Sequence, residues 1–290
     1  MSNYEDYLKH SRKIYDVYMS MSVLNWDMET QMPKNGNRFR AQQLSTLAKI
    51  AYDLSTSKTY GVLLDNLNKD KTLNSDQKRN VYLSQKQFHK KLKYDSNFIE
   101  KQSILISKAF KDWRIAKDKN DFNLFKDSLQ NIIDLRKEET EIIGYKDHPY
   151  DALLDKYEPN LTVKDVDLIF NDVKNQLVPF ISKISENNNI DDSFFYQHFD
   201  QKKQWDFGID LLKQMGYDFN SGRQDLSAHP FSSHFSPEDA RVTTRIDENN
   251  LSDMIWSCIH EGGHALYEQG ILSENYGTPL GNSISLGIHE

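Results

Sequence analysis

From residue 4 to residue 215 the apolar side chains return every three or four positions, and that period leaves room for little besides long helices. In YEDYLKHSRKIYDVYMSMSVLNW, residues 4–26, Tyr4, Leu8, Ile14, Tyr15, Tyr18, Met21 and Leu24 fall at near-helical spacing. NRFRAQQLSTLAKIAYDLS, residues 37–55, repeats the pattern with Leu44, Leu47, Ile50, Ala51 and Leu54. Further amphipathic stretches are predicted over about 75–93, 96–118, 121–143, 163–186 and 199–215. Breakers part them: Pro33 and Gly36, Asn74-Ser75, Gly144 through Pro149, Pro159-Asn160, and the polar run 186–192. Pro179 is expected to kink the helix that holds it. No repeat of fixed period and no low-complexity segment interrupts this organisation.

The pattern changes after residue 215. GYDFNSGRQDLSAHPFSSHFSPEDARVTTRIDENN has little helical periodicity, but RVTTRI alternates: Val242, Thr244 and Ile246 face one way, Arg241, Thr243 and Arg245 the other. That is a strand signature. NNLSDMIWSCIHEGGHALYEQG then returns to helix, with Asn250 or Ser252 placed to cap its start and Gly270 suited to a left-handed position after its end. The expected fold is mainly α, a single mostly helical domain. A long-helix body covers 1–215, and an active-site segment, 216–290, sets a small strand pair beside the helix that bears the histidines.

Composition narrows the class of function. Apolar residues make up 38% and charged residues 27%, which suits a soluble helical protein. The net charge is −7, with both signs mixed along the chain, so the concentrated basic face that nucleic-acid binding requires is missing. No run approaches the roughly 18–20 apolar residues of a membrane span, and the N-terminus shows no basic region followed by an apolar one. One cysteine, Cys258, rules out an internal disulfide framework. A cytoplasmic location is the expectation.

The chemistry concentrates in CIHEGGHALYEQG, residues 258–270. On a helix, positions i and i+4 share a face, so His260 and His264 can grip one metal ion while Glu261 works on a water beside it. Gly262 and Gly263 lie between them, and each costs about 1 kcal/mol against alanine in a helix interior. Their presence suits a close backbone approach by a strand or a substrate. A catalytic zinc usually takes three protein ligands, and HExxHxxGxxH is absent, because Tyr267 and Gly270 stand where its last glycine and histidine would fall. Glu268 lies a turn too far along the axis and Glu274 falls past the helix end. Glu290, thirty positions after His260 (290 − 260), follows GNSISLGIH, which can form a second, returning helix. Glu290 is the expected third ligand, set against the plainer reading of a frayed carboxylate in solvent. Cys258 is expected to point away from the metal as a small core residue.

These residues resemble the carboxypeptidase Taq family. His229-Pro230-Phe231 looks like its HPF motif, Asp239–Thr243 (DARVT) fits DxRxT, and HEGGHALYEQG fits its metal helix. His289-Glu290 looks like the start of HES(G)Q, and LNWDMETQMP (24–33) and YDALLDKYEPNLTV (150–163) are similar to its N-terminal and middle segments. The resemblance implies a mostly helical, zincin-like fold with a deep groove. It also implies one divalent metal per chain, zinc or else cobalt, a homodimer, and release of C-terminal residues from peptides with a free C-terminus. His260, His264 and Glu290 would hold the metal and Glu261 would act as general base. Asp239 and Arg241 either form a structural pair or face the substrate backbone, and His229 either approaches the site or bonds locally. The later family motifs, with the arginine for the substrate carboxylate and the groups for the oxyanion, do not occur before residue 290. The chain is therefore expected to represent the N-terminal part of a member, with little activity by itself. A helical HExxH oligopeptidase and a non-catalytic metal-binding chain are the competing readings.

Overall fold

The computed structural model describes residues 3–186 and 190–290, so residues 187–189 of the polar run 186–192 lie outside the described residues. The seven amphipathic stretches form helices: α1 (Asn3–Thr30), α2 (Asn37–Ser55), α4 (Ser75–Lys91), α5 (Ser96–Lys119), α6 (Asn123–Ile143), α8 (Val163–Glu186) and α9 (Gln201–Met215). Two shorter helices complete the set, α3 (Lys58–Asn68) and α7 (Pro149–Leu154). Ser57 caps α3 by accepting from Tyr60 N at 3.3 Å. α7 begins on a breaker: Pro149 occupies its first turn, where a missing N–H costs nothing, and His148 and Asp151 form a reciprocal capping box. Among the described residues no helix is long and apolar enough to cross a membrane.

The remaining elements are β1 (Gln224–Leu226), β2 (Ser232–Ser236), β3 (Asp239–Thr244), α10 (Leu251–Gln269) and α11 (Leu286–His289). The expected strand pair is β2 with β3, antiparallel, Ser232 opposite Val242 and His234 opposite Ala240. A third strand, β1, joins β3 in parallel with Gln224 opposite Val242, giving the order β1-β3-β2. β3 ends at Thr244, two residues short of Ile246. Its expected two-faced character is masked, because Thr243 is as buried as Val242 and Thr244, each at 1% exposure or less. Thr243 Oγ1 accepts from Phe231 N at 2.8 Å and bonds Ser227 Oγ at 2.7 Å, which seats the β1–β2 loop over the strand.

By its backbone contacts the chain divides into two compact units. The first comprises Met1–Lys86, Asn189–Ile284 and Ile288–Glu290. In its helical part Tyr7 is fully buried and bonds Ser84 Oγ at 2.8 Å, Tyr60 Oη meets Ser11 Oγ at 3.1 Å, and His10 bonds the Leu54 carbonyl at 2.9 Å. His10 is thus a packing residue. A second cluster gathers Leu212, Tyr217, Ala240, Val242 and Ala265 where α9, β3 and α10 meet. There α9 and α10 approach closely. A Cβ on Gly208 would stand 2.9 Å from Cys258 Sγ, and one on Gly262 would stand 2.7 Å from Leu212 Cδ2. α10 is capped by Asn250, whose side chain accepts from Ser252 N at 3.1 Å. It ends at Gly270 with φ −80°, in the right-handed region and not the left-handed one expected for that glycine. A left-handed glycine closes α9 instead, Gly216 at φ 96°.

The second unit, Gln87–Asn188 with Ser285–Gly287, is built on the α5–α6 hairpin. Its electrostatic centre is Glu139, 1% exposed, which accepts from Tyr94 Oη at 2.9 Å and Arg136 Nη1 at 2.6 Å and pairs with Lys156. Burial alone would raise its pKa, but Lys156, Arg136 and Tyr94 outweigh burial and hold the carboxyl below the usual range. α8, which runs through Pro179, has no buried residue among those described.

Three substitutions test this packing. Gly262→Val should destabilise the protein by about 2 kcal/mol through overpacking against Leu212. Gly263→Ala, at a position with open space around its Cβ, should stabilise the helix by up to about 1 kcal/mol. Chemical denaturation of the two variants checks both signs. Glu139→Ala should cost about 2 kcal/mol by removing the charge-assisted hydrogen bonds that Arg136, Lys156 and Tyr94 make to the carboxylate. Because the folded-state pKa of Glu139 is depressed, its contribution is complete above the unfolded value near 4.5 and is lost as pH falls through the lower folded value. Thermal melts between pH 7 and pH 3 should therefore show a shallower acid decline for the variant.

Candidate metal centre

α10 turns one stripe toward the C-terminal segment. Residues 260, 264 and 268 recur at four-residue spacing, so their side chains lie one above another. His260 Nε2 and His264 Nε2 are 3.2 Å apart, the rings edge-on with centroids 4.6 Å apart. Glu290 Oε2 lies 3.8 Å from each Nε2. All three donor atoms fall within 4.8 Å of one another. His264 is buried, while His260 and Glu290 open toward solvent with side chains 57% and 53% exposed.

This set fits a divalent cation. His264 Nδ1 lies 2.9 Å from the His289 carbonyl oxygen, which can only accept, so Nδ1 carries the proton and Nε2 presents its lone pair. That lone pair faces a second ring nitrogen and a carboxylate oxygen, and a cation among them satisfies all three. A tetrahedral zinc with bonds of about 2.0–2.2 Å holds its donors roughly 3.3–3.6 Å apart. The observed separations of 3.2 and 3.8 Å bracket that range.

Glu261, next in sequence to the first histidine, turns toward β2 and is 7% exposed. Burial raises its pKa, while His260, His264, a hydrogen bond from Ser232 and the nearby His229 oppose that rise. The result is a carboxyl more basic than a free glutamate, set against the histidine pair. His229 itself is exposed, and its carbonyl accepts from Ser227 Oγ at 2.7 Å. Asp239 and Arg241 make a two-pronged ion pair at 2.7 and 2.8 Å, and the Arg241 guanidinium lies 4.5 Å over the Trp26 ring and 4.9 Å over Phe235. Among the described residues, no hydrogen bond or ion pair links that pair to the donor cluster. Their contacts suit a brace between β3 and α1. Cys258 is buried on the opposite side of α10, with its thiol pKa raised by burial. Glu274 is exposed in a short turn.

Four neighbours of the centre escaped the sequence reading as site residues. Ser232 reaches Glu261. His234 Nδ1 and His289 Nε2 approach Glu268 Oε1 at 3.4 and 3.1 Å. Glu268 is 4% exposed, and burial pushes its pKa up to about 7. The signal for Glu268 was present in its place four residues after His264, and that for Ser232 and His234 in the two-residue period of β2.

A metal titration tests the centre directly. Zinc or cobalt should saturate at one ion per chain, and His264→Ala should abolish that stoichiometric binding while the far-ultraviolet circular dichroism is unchanged.

The chain is similar to several known proteins. The family model described as carboxypeptidase Taq (M32) metallopeptidase matches residues 6–290. Carboxypeptidase 1 of Bacillus subtilis (strain 168) is 37% identical over 273 residues, covering 93% of this chain and 54% of that protein. Thermostable carboxypeptidase 1 of Pyrococcus furiosus is 33% identical, covering 96% of this chain and 56% of its own length. The solved structure of a Pyrococcus furiosus carboxypeptidase superposes with a TM-score of 0.93 at 31% identity, over all of this chain and 59% of that one. The chain thus spans about half the length of the curated relatives it matches.

Proposed function

The chain belongs to the carboxypeptidase Taq (M32) metallopeptidase family, and on that premise we propose that residues 260–290 supply the metal-holding and proton-transfer groups of a metal-dependent carboxypeptidase acting on peptides with a free C-terminus. The observation that carries this reading is the convergence of three donor atoms within 4.8 Å beside a buried carboxylate.

His260, His264 and Glu290 would hold the ion, and two imidazole nitrogens with one carboxylate oxygen suit zinc, with cobalt able to take its place. When bound, such an ion acts as a Lewis acid toward the scissile carbonyl and lowers the pKa of a water beside it. Glu261 accepts the proton of the attacking water on its carboxylate and delivers it to the amine nitrogen as the C–N bond breaks. Burial makes Glu261 a stronger base, and the histidine pair, the Ser232 hydroxyl and His229 oppose that rise. Thr243 supports this arrangement from behind, because it seats the loop from which β2 and Ser232 emerge.

In metal-loaded protein that contains this segment and turns over peptide, Glu261→Gln should lower kcat by about 10²- to 10⁴-fold and leave the metal content unchanged. Release of the C-terminal residue from an N-blocked dipeptide, with metal analysis of the same sample, measures both. Retained turnover would remove the general-base role. Cleavage confined to internal bonds of longer peptides would remove the carboxypeptidase reading.

A further inference from the structure

Glu268 is a buried carboxyl beside the centre to which the proton-transfer scheme gives no task. A carboxyl 4% exposed in a helix face needs compensation from partners, and those partners come from elsewhere in the chain. Its Oε1 lies 3.1 Å from His289 Nε2 on α11 and 3.4 Å from His234 Nδ1 on β2. Oε1 and His289 Nε2 are both shut off from solvent, and neither makes an aligned hydrogen bond among the described residues, with each other or with a third group. Their 3.1 Å approach is the shorter of the two histidine contacts to Glu268 and leaves only a small reorientation for the ring N–H to meet the carboxyl.

His289 passes this anchoring on. Its ring stacks on His264 with centroids 4.6 Å apart and an interplanar angle of 28°, and Tyr267 packs edge-on against it at 5.1 Å. Its carbonyl takes the His264 Nδ1 proton at 2.9 Å. The next residue along the chain is Glu290. A ring held by Glu268 thus sets two ligands together, the tautomer and tilt of His264 and the approach of Glu290. We infer that Glu268 is a positioning residue for the metal centre, acting through His289. The inference rests on the metal reading of His260, His264 and Glu290. It assigns the third member of the α10 stripe to holding the ligands in place, one turn below the pair that would touch the ion.

Metal affinity by chelator competition, measured alongside the thermal stability of metal-free protein, separates positioning from mere packing. Glu268→Ala should weaken zinc or cobalt binding about ten- to hundredfold, and His289→Ala should do the same. The double variant should lose no more than His289→Ala alone, because Glu268 acts only through that ring. Glu268→Gln, which keeps an oxygen to accept from the His289 ring, should restore most of the affinity. A lowered Tm with affinity within about twofold of the unsubstituted protein would overturn the inference, as would losses that add in the double variant. Should Glu268→Ala fail to fold, His289→Ala decides the matter, and unchanged affinity there overturns the inference. Absence of metal binding by the unsubstituted protein is a separate result, because it removes the metal reading and this inference with it.

Discussion

The close approach of α9 to α10 is the constraint on which the candidate metal centre depends. Met254, Cys258 and Ala265 are at most 1% exposed along the inner side of α10. Gly262 continues that side, and Leu212 of α9 occupies the space its missing side chain leaves. Ligand geometry tolerates errors of only about half an ångström, so the two histidines can be no better placed than the helix beneath them. The glycine that weakens α10 as an isolated helix is what lets α9 clamp it.

β2 adds a second level of order. Ser232 and His234 are two apart and share one face of the strand. The first meets Glu261 and the second meets Glu268, seven residues further along α10 (268 − 261). One strand face thereby serves two buried carboxyls on one helix, both with pKa values raised by burial. Their surroundings divide their work. Glu261 has a hydroxyl and the histidine pair around it, while Glu268 is pressed between two imidazoles that come from separate elements.

Most of the helical framework was legible in the sequence because burial on one side of a helix writes a 3.6-residue period. α3 and α7 were not, since eleven and six residues carry too few turns for the period to show. α7 was further hidden by Pro149, which stops a helix in its interior and starts one at its first turn. β1 is three residues long and is held by β3, to which sequence neighbours offer no clue. The histidine pair was legible from spacing alone. Glu290 was reached as the acid left over after nearer ones were set aside. Ser232, His234 and the partnership of Glu268 with His289 were not legible, because they depend on which elements pack together, and a side chain's own neighbours in sequence do not record that.

The 2.9 Å bond from His264 to the His289 carbonyl and the 3.8 Å approach of Glu290 have a mechanical meaning as well as a chemical one. An ion shared by His264 and Glu290 would fasten together positions 26 residues apart (290 − 264), closing a loop in the way a disulfide does and removing conformations from the unfolded chain. The free energy of ion binding would then become free energy of ordering for the segment between the two ligands, whose order would rise and fall with the concentration of free metal.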